Sequence, residues 1–268
     1  MHVIGSVAVA RRNVLVQVQS VLYPLMRKEL NMSKKILVLS SGGIDSTSLL
    51  YAAVKMVGAE NVIALNMYYG QKHKIEIDCA HWQAEHLGVK HIDKDISAIF
   101  KGLENSSALL EGSDKEIAHE SYAEQLKHTD VVSAYVPYRN GLFLSCAASI
   151  AYALGCDMIA YGAHADDAVR RQNGGAAYPD CTEEFIKAQR EAIEQGTGGK
   201  VGLWAPLWDK TKAEVVRFGL DNGCTRETFE HTHSCYEGVE GGCGTCGTCI
   251  DARAALDANP ETKGVRQS

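Results

Sequence analysis

The stretch from Ile36 to Gly58 limits what this chain can fold into more than any other. Residues 36–39 are an apolar run of strand length, and Ser40-Ser41-Gly42-Gly43 is a turn of small residues. Leu49, Leu50, Ala53, Val54 and Val57 then recur at helical spacing until Gly58 closes the run. A buried strand that feeds a helix through a Gly-Gly turn is the opening unit of a nucleotide-binding α/β fold. The turn is also a phosphate cradle. Two glycines let backbone approach an anion, the free N–H groups of the first helical turn face it, and the hydroxyls of Ser41, Ser46 and Thr47 add donors. Asp45 is the odd member beside phosphate, and it reads as a helix cap or a Mg²⁺-side residue.

The loop lacks the lysine and spacing of a Walker A, and it is not G-x-G-x-x-G. Ser41-Gly42-Gly43-Ile44-Asp45-Ser46 instead resembles the pyrophosphate loop of the ATP pyrophosphatases. Those enzymes split ATP between its α and β phosphates and adenylate a carbonyl oxygen. The plainer reading, a glycine turn with an Asp/Ser cap, is disfavoured by the strand before it and the helix after it.

Four further strand signals fall at 61–67, 90–92, 157–161 and 201–208, and helical patterns cover 74–86, 141–154, 182–194 and 211–220. This alternation predicts an α/β fold with a doubly wound, mainly parallel sheet, in a catalytic domain over residues 33–230. Ligands of such sheets sit at strand C-terminal ends. The segments 68–73 and 162–167 lie there. Residues 100–130 are polar with weak periodicity, and a loop of that length reads as a lid over the site. Arg139, at the start of the 141–154 helix, offers a planar fork for a carboxylate or phosphate; a lone arginine is more often a surface salt bridge.

The net charge of −6 and the lack of a long basic run argue against an extended nucleic-acid surface. No apolar stretch is long enough to span a membrane. Residues 1–32 are an extension carrying Arg11, Arg12, Arg27 and Lys28, and they fit the cleavage pattern of a targeting peptide poorly.

Four of the nine cysteines, Cys235, Cys243, Cys246 and Cys249, fall in a C-x7-C-x2-C-x2-C run rich in glycine. Clustering of this kind indicates a metal in a reducing cytoplasm, not a disulfide framework. A closed four-sulfur site suits structural Zn²⁺, with an iron–sulfur cluster as competitor. The module spans 231–257 and leaves a tail at 258–268. His231 and His233 are spare ligands at most. His81, His86 and His91 share no metal-ligand spacing and read as surface or satisfied core histidines. Cys181 reads as a buried thiol before a nucleophile.

Six motifs occur in register between about residues 34 and 256. They are the pyrophosphate loop, Tyr69-Gly70-Gln71-Lys72-His73, Val136-Pro137-Tyr138-Arg139-Asn140, Tyr178-Pro179-Asp180-Cys181, Thr211-Lys212-Ala213-Glu214 and the four cysteines. Their order resembles that of the 7-cyano-7-deazaguanine synthases. The resemblance implies an adenine nucleotide α-hydrolase-like domain with a zinc knot, working as a cytoplasmic homodimer without nucleic-acid or membrane partners. It implies a carbon–nitrogen ligase that converts 7-carboxy-7-deazaguanine and ammonia to the nitrile in queuosine-type biosynthesis, through adenylated acid and amide. ATP and Mg²⁺ would be used and one structural Zn²⁺ held. By the same resemblance Asp45, Lys212 and Arg139 are catalytic, and Ser40, Ser41, Gly42, Gly43, Ile44, Asp45, Ser46 and Thr47 bind ATP. Gln71, His73, Arg139, Asn140, Gly162, Asp167, Tyr178 and Asp180 bind substrate, and Cys235, Cys243, Cys246 and Cys249 hold the metal.

Two departures from the family pattern stand out. Tyr138 takes a place usually held by glycine, which predicts a narrower pocket. Extra residues, including Arg170 and Arg171, precede Tyr178. Alternatives are a relative that stops at the amide or passes the acyl group to another amine, a sulfur-inserting tRNA enzyme, and a non-catalytic zinc-knot binding module. The tRNA enzyme would bring a basic RNA-binding domain, which this chain lacks, and the intact loop argues against the non-catalytic module.

Overall fold

The strand signals pair into one five-stranded sheet in the order β3-β2-β1-β4-β5, and every pairing is parallel. The computed structural model describes residues 34–168 and 176–267. The strands are β1 (Ile36–Leu39), β2 (Val62–Tyr68), β3 (Lys90–Asp95), β4 (Met158–Ala160) and β5 (Gly202–Trp204). The helices are α1 (Ile44–Val57), α2 (Ile75–Leu87), the single turn α3 (Tyr122–Gln125), α4 (Arg139–Leu154), α5 (Glu183–Gly196), α6 (Lys212–Asp221), α7 (Arg226–Glu230) and α8 (Gly247–Asp257).

The continuous apolar run of β1 serves two layers, because alternate side chains leave a strand on opposite faces. Ile36 and Val38 pack with Leu49, Leu50 and Ala53 of α1 and Ala84 of α2. Leu37 packs with Leu144, Ala147 and Ala151 of α4 and with Ile186 and Ile193 of α5. Each such fully buried Leu or Ile contributes about 1.5–3 kcal/mol relative to exposure. Strand order reverses at β1, which opens a crevice between the C-terminal ends of β1 and β4.

Local chemistry explains the boundaries that differ. β3 runs on to Asp95, beyond the predicted 90–92, because an edge strand tolerates the charged residues that hide its apolar pattern. β5 stops at Trp204, where Pro206, with no N–H to donate, follows closely. The lid reading of 100–130 is corrected. Ala108, Leu109, Leu110 and Ile117 are buried with Phe100, Val136 and three of the clustered cysteines. Lys72 N donates to Leu109 O at 2.9 Å, and Glu111 N to Gly70 O at 2.7 Å. The segment is a packed wall of irregular backbone, whose scattered apolar residues carry no period.

The expected narrowing by Tyr138 is also corrected. Tyr138 sits in the left-handed region (φ 54°) just before α4, where glycine is the easier residue. Its ring turns outward over Gly141, meets Phe185 edge-on, and its hydroxyl accepts from Gln189 Nε2 at 2.9 Å. The extension at 1–32 and the extra segment with Arg170 and Arg171 lie outside the described residues. Among the described residues, no helix is long and apolar enough to cross a membrane.

Candidate active site

The glycine turn after β1 is held in shape from several sides. Ser40 N donates to Leu65 O at 2.9 Å, and Asn66 Nδ2 to Ser40 O at 3.0 Å. Ser46 Oγ accepts from Ser41 N at 3.1 Å, lies 3.2 Å from Ser41 Oγ and donates to Gly43 O. Gly42 has φ +85°, and a Cβ there would stand 2.0 Å from Glu76 O, so no other residue fits. No side chain caps α1, which leaves its first N–H groups to face the crevice. Ser40, Ser41, Gly43, Asp45 and Ser46 line this cavity. Ile44 points away into the layer with Val215, Val216 and Phe229, and Gly42 and Thr47 lie beneath the surface.

A charged cluster stands at the head of α1. A capping box made by Thr211 and Glu214 fixes the start of α6, and so delivers Lys212. Lys212 Nζ lies 2.5 Å from Asp45 Oδ2. His164, after β4, places Nε2 3.4 Å from Lys212 Nζ and 3.3 Å from Asp167 Oδ2. Burial works to raise the Asp45 carboxyl, but Lys212 and His164 outweigh it and hold it below its usual value. Burial lowers the Lys212 ammonium, and Asp45 and Asp167 more than restore it. Asp167 and Asp251 are raised, chiefly by burial. Asp251 enters the cavity from α8. Asp45 Oδ1 is buried without a hydrogen-bond partner among the described residues. Asp45, Asp167 and Asp251 all line the one cavity, and carboxylate oxygen is the ligand type that a hard cation such as Mg²⁺ takes.

The opposite wall is aromatic with one fixed cation. Arg139 opens α4, donates from Nη1 to Tyr69 OH at 3.1 Å and lies over the Tyr69 and Phe143 rings. Burial pushes the Tyr69 hydroxyl up to about 12, so this contact is cation to neutral phenol. Tyr236 OH lies 2.9 Å from both Tyr122 OH and Tyr178 OH, and burial raises all three. His73, Asn140 and Gly162 complete the predicted residues on the cavity surface. Gln71 and Asp180 stand behind it. Gln71 Oε1 accepts from Tyr69 N while its Nε2 donates to Glu76, and Asp180 Oδ2 accepts from Asn140 N. Both therefore shape the segments that carry Tyr69 and Arg139. Burial raises the Cys181 thiol well above its usual value, which suits an inert core group.

Sequence reasoning missed Tyr122, Tyr236, His164, Asp251 and Glu76, all of which line the cavity. For Tyr236 and Asp251 a signal existed. They sit one and two residues from Cys235 and Cys249, so the metal loop and the site share backbone.

The four clustered cysteines offer sulfur atoms that all lie within 4.8 Å of one another. Backbone N–H groups of Cys243 and Cys246 point at the sulfurs of Cys235 and Cys243, each at 3.3 Å, an outer shell that favours thiolates. This donor set fits one Zn²⁺. The same C-terminal segment braces the glycine turn, because His233 N donates to Gly42 O at 3.0 Å.

The family described as "Queuosine biosynthesis protein QueC" matches residues 35–259. A 7-cyano-7-deazaguanine synthase of Archaeoglobus fulgidus is 38% identical over 226 residues, covering 84% of this chain and 87% of that protein. One from Psychromonas ingrahamii is 34% identical, covering 85% and 95%. A 7-cyano-7-deazaguanine synthase 1 of Colwellia psychrerythraea is 34% identical, covering 87% and 99%.

Proposed function

Since this chain belongs to the QueC family of queuosine biosynthesis enzymes, we propose that its cavity makes 7-cyano-7-deazaguanine from 7-carboxy-7-deazaguanine, ammonia and ATP. The observation that carries this reading is the convergence, in one crevice, of an open helix N-terminus, the Asp45–Lys212 pair and the half-buried Arg139.

In this reading a carboxylate oxygen of the substrate attacks the α-phosphorus, and the bond to the β-phosphate oxygen breaks. The loop N–H groups with Ser41 and Ser46 receive the pyrophosphate, and Lys212 neutralises charge as it develops. Asp45, with Asp167 and Asp251 near it, would hold Mg²⁺, which would supply positive charge to the phosphates. Ammonia then adds to the activated carbon and AMP leaves, giving the amide. A second ATP adenylates the amide oxygen with release of pyrophosphate, and AMP then leaves with that oxygen as the nitrogen gives up its two protons, forming the nitrile. Arg139 steers the substrate carboxylate, and the face of Tyr178 stacks on the deazapurine. Zn²⁺ is structural here, and the active form is a cytoplasmic homodimer.

The test is mass spectrometry of the deazapurine after incubation with ATP, Mg²⁺ and ammonium. Nitrile with AMP supports the reading. Amide alone moves the assignment to a relative that stops early or passes the acyl group to another amine, and absence of nucleotide turnover overturns it.

Tyr236 ties the metal loop to the substrate wall through two hydroxyl contacts. Tyr236→Phe leaves the hydroxyls of Tyr122 and Tyr178 short of a partner, at about 1–3 kcal/mol. The KM for the deazapurine is expected to rise roughly tenfold, with the KM for ATP and the zinc content unchanged. Steady-state kinetics with each substrate varied checks this; an unmoved deazapurine KM would remove Tyr236 from the wall's function.

A further inference from the structure

The geometry points to a second transition-metal site, outside the cavity, made by His81, His91 and Asp93. His81 lies in the middle of α2, and His91 and Asp93 are two residues apart on β3, so both leave the strand on one face. In register they stand beside Ala64 and Asn66 of β2. Ala64 packs into the layer that α2 covers, so the three side chains meet between a helix and the sheet edge. Apolar contacts ordinarily fill such a place.

What fills it is a converging donor set. Asp93 presents Oδ1 at 2.9 Å and Oδ2 at 3.1 Å to His81 Nε2, and Oδ2 at 4.0 Å to His91 Nε2. The two imidazole rings lie 4.6 Å apart, tilted 33°. One ligand atom from each residue falls within 4.8 Å of the others. The His81–Asp93 hydrogen bond joins the helix to the strand, and the strand's two-residue period sets His91 on the same face, its ring 4.6 Å from that of His81, so both imidazoles face one carboxylate. Spacing in the sequence does not reveal the set, because α2 and β3 bring together residues ten positions apart. The remaining histidine, His86, stacks on Trp82 and takes no part.

Two imidazoles and one carboxylate suit a borderline divalent ion such as Zn²⁺, Ni²⁺ or Cu²⁺ over Mg²⁺ or Ca²⁺. Three protein ligands leave a coordination position open, unlike the closed four-sulfur site. The side chains are 33%, 37% and 50% exposed, so an ion from solution reaches them without local unfolding. Bound there, it ties the middle of α2 to the edge strand.

The test uses the full chain with its cysteine site already filled, shown by one zinc per chain in elemental analysis. Calorimetric titration with Zn²⁺ is expected to add one further equivalent. His81→Gln and His91→Gln should each weaken that second site on the order of tenfold or more, since loss of a direct ligand costs at least as much as loss of an outer-shell partner. Both variants should keep the first zinc, which also reports that each is folded. With Cu²⁺, paramagnetic resonance should show coupling to two imidazole nitrogens, falling to one in either variant. The proposal is overturned by a titration without a second equivalent, or by one that both variants retain at the parent affinity. The readout is metal, so it is independent of the reaction proposed above.

Discussion

Asp45→Asn is expected to cut turnover about a thousandfold or more while the chain keeps its fold and its cysteine-bound zinc. The carboxylate has two tasks in the proposed reaction, and the amide performs neither well. It no longer holds Lys212 by charge, and it would be a poor ligand for a hard cation. Losing one group that stabilises developing charge costs about 10²–10³ in rate, and both losses fall on the same step. The fold should survive, because Asp167 still faces Lys212 and Asp45 itself is partly open to the cavity. A stability loss of about 1–3 kcal/mol is expected. The folded Asp45 carboxyl lies below its ordinary value, so the pair's contribution is present at neutral pH and is lost as pH falls below about 4. Single-turnover AMP formation and thermal melting check both parts; near-parental AMP formation would remove Asp45 from the chemistry.

Cys246→Ser should cost the metal, the substrate site and much of the solubility together. Cys246 heads α8, and Thr248 and Asp251 reach the cavity from its first turns. Ser234 and Tyr236 flank Cys235, and His233 N donates to Gly42 O. Structural zinc sites contribute about 10–16 kcal/mol of apparent binding energy, as much as a domain's whole stability of about 5–15 kcal/mol. Without it the loop from Cys235 to Cys249 should open, and Leu109, Leu110 and Ile117, which pack against the cysteines, lose their cover. The layers around Leu37 and around Ile36 and Val38 draw no residue from that loop and should persist. Circular dichroism should retain most of the helix signal, while limited proteolysis cuts between 231 and 257 and deazapurine binding is lost. A variant that lost its zinc yet bound the deazapurine normally would separate the metal from the site.

Legibility in the sequence followed periodicity. β1, its turn and α1 were readable because an apolar run, two glycines and a 3.6-residue repeat follow one another without interruption. The four cysteines were readable because their ligands are local. The rest depended on contacts that leave no period. The 100–130 wall buries Leu109, Leu110 and Ile117 through irregular backbone, so its polar composition suggested a lid. Tyr138 stood in a motif at the site, yet its left-handed backbone turns the ring outward. Gln71 and Asp180 sit in family motifs and work from behind the wall, whereas Tyr236 and Asp251, with no motif of their own, reach the surface because the cysteine loop carries them there.

The pairing of β1 has a bearing on how the chain assembles. β1 joins β2 soon after both are made, but its other neighbour, β4, comes far later, and Lys35 and Asp157 meet across 122 positions of sequence. The glycine turn waits longer still, since the hydrogen bond to Gly42 O comes from His233. Closing such long loops before their contacts form slows folding. The part of the sequence that announces the fold most clearly is thus among the last to be finished in space. During synthesis on the ribosome, the segment proposed to grip ATP stays incomplete until His233 has followed it.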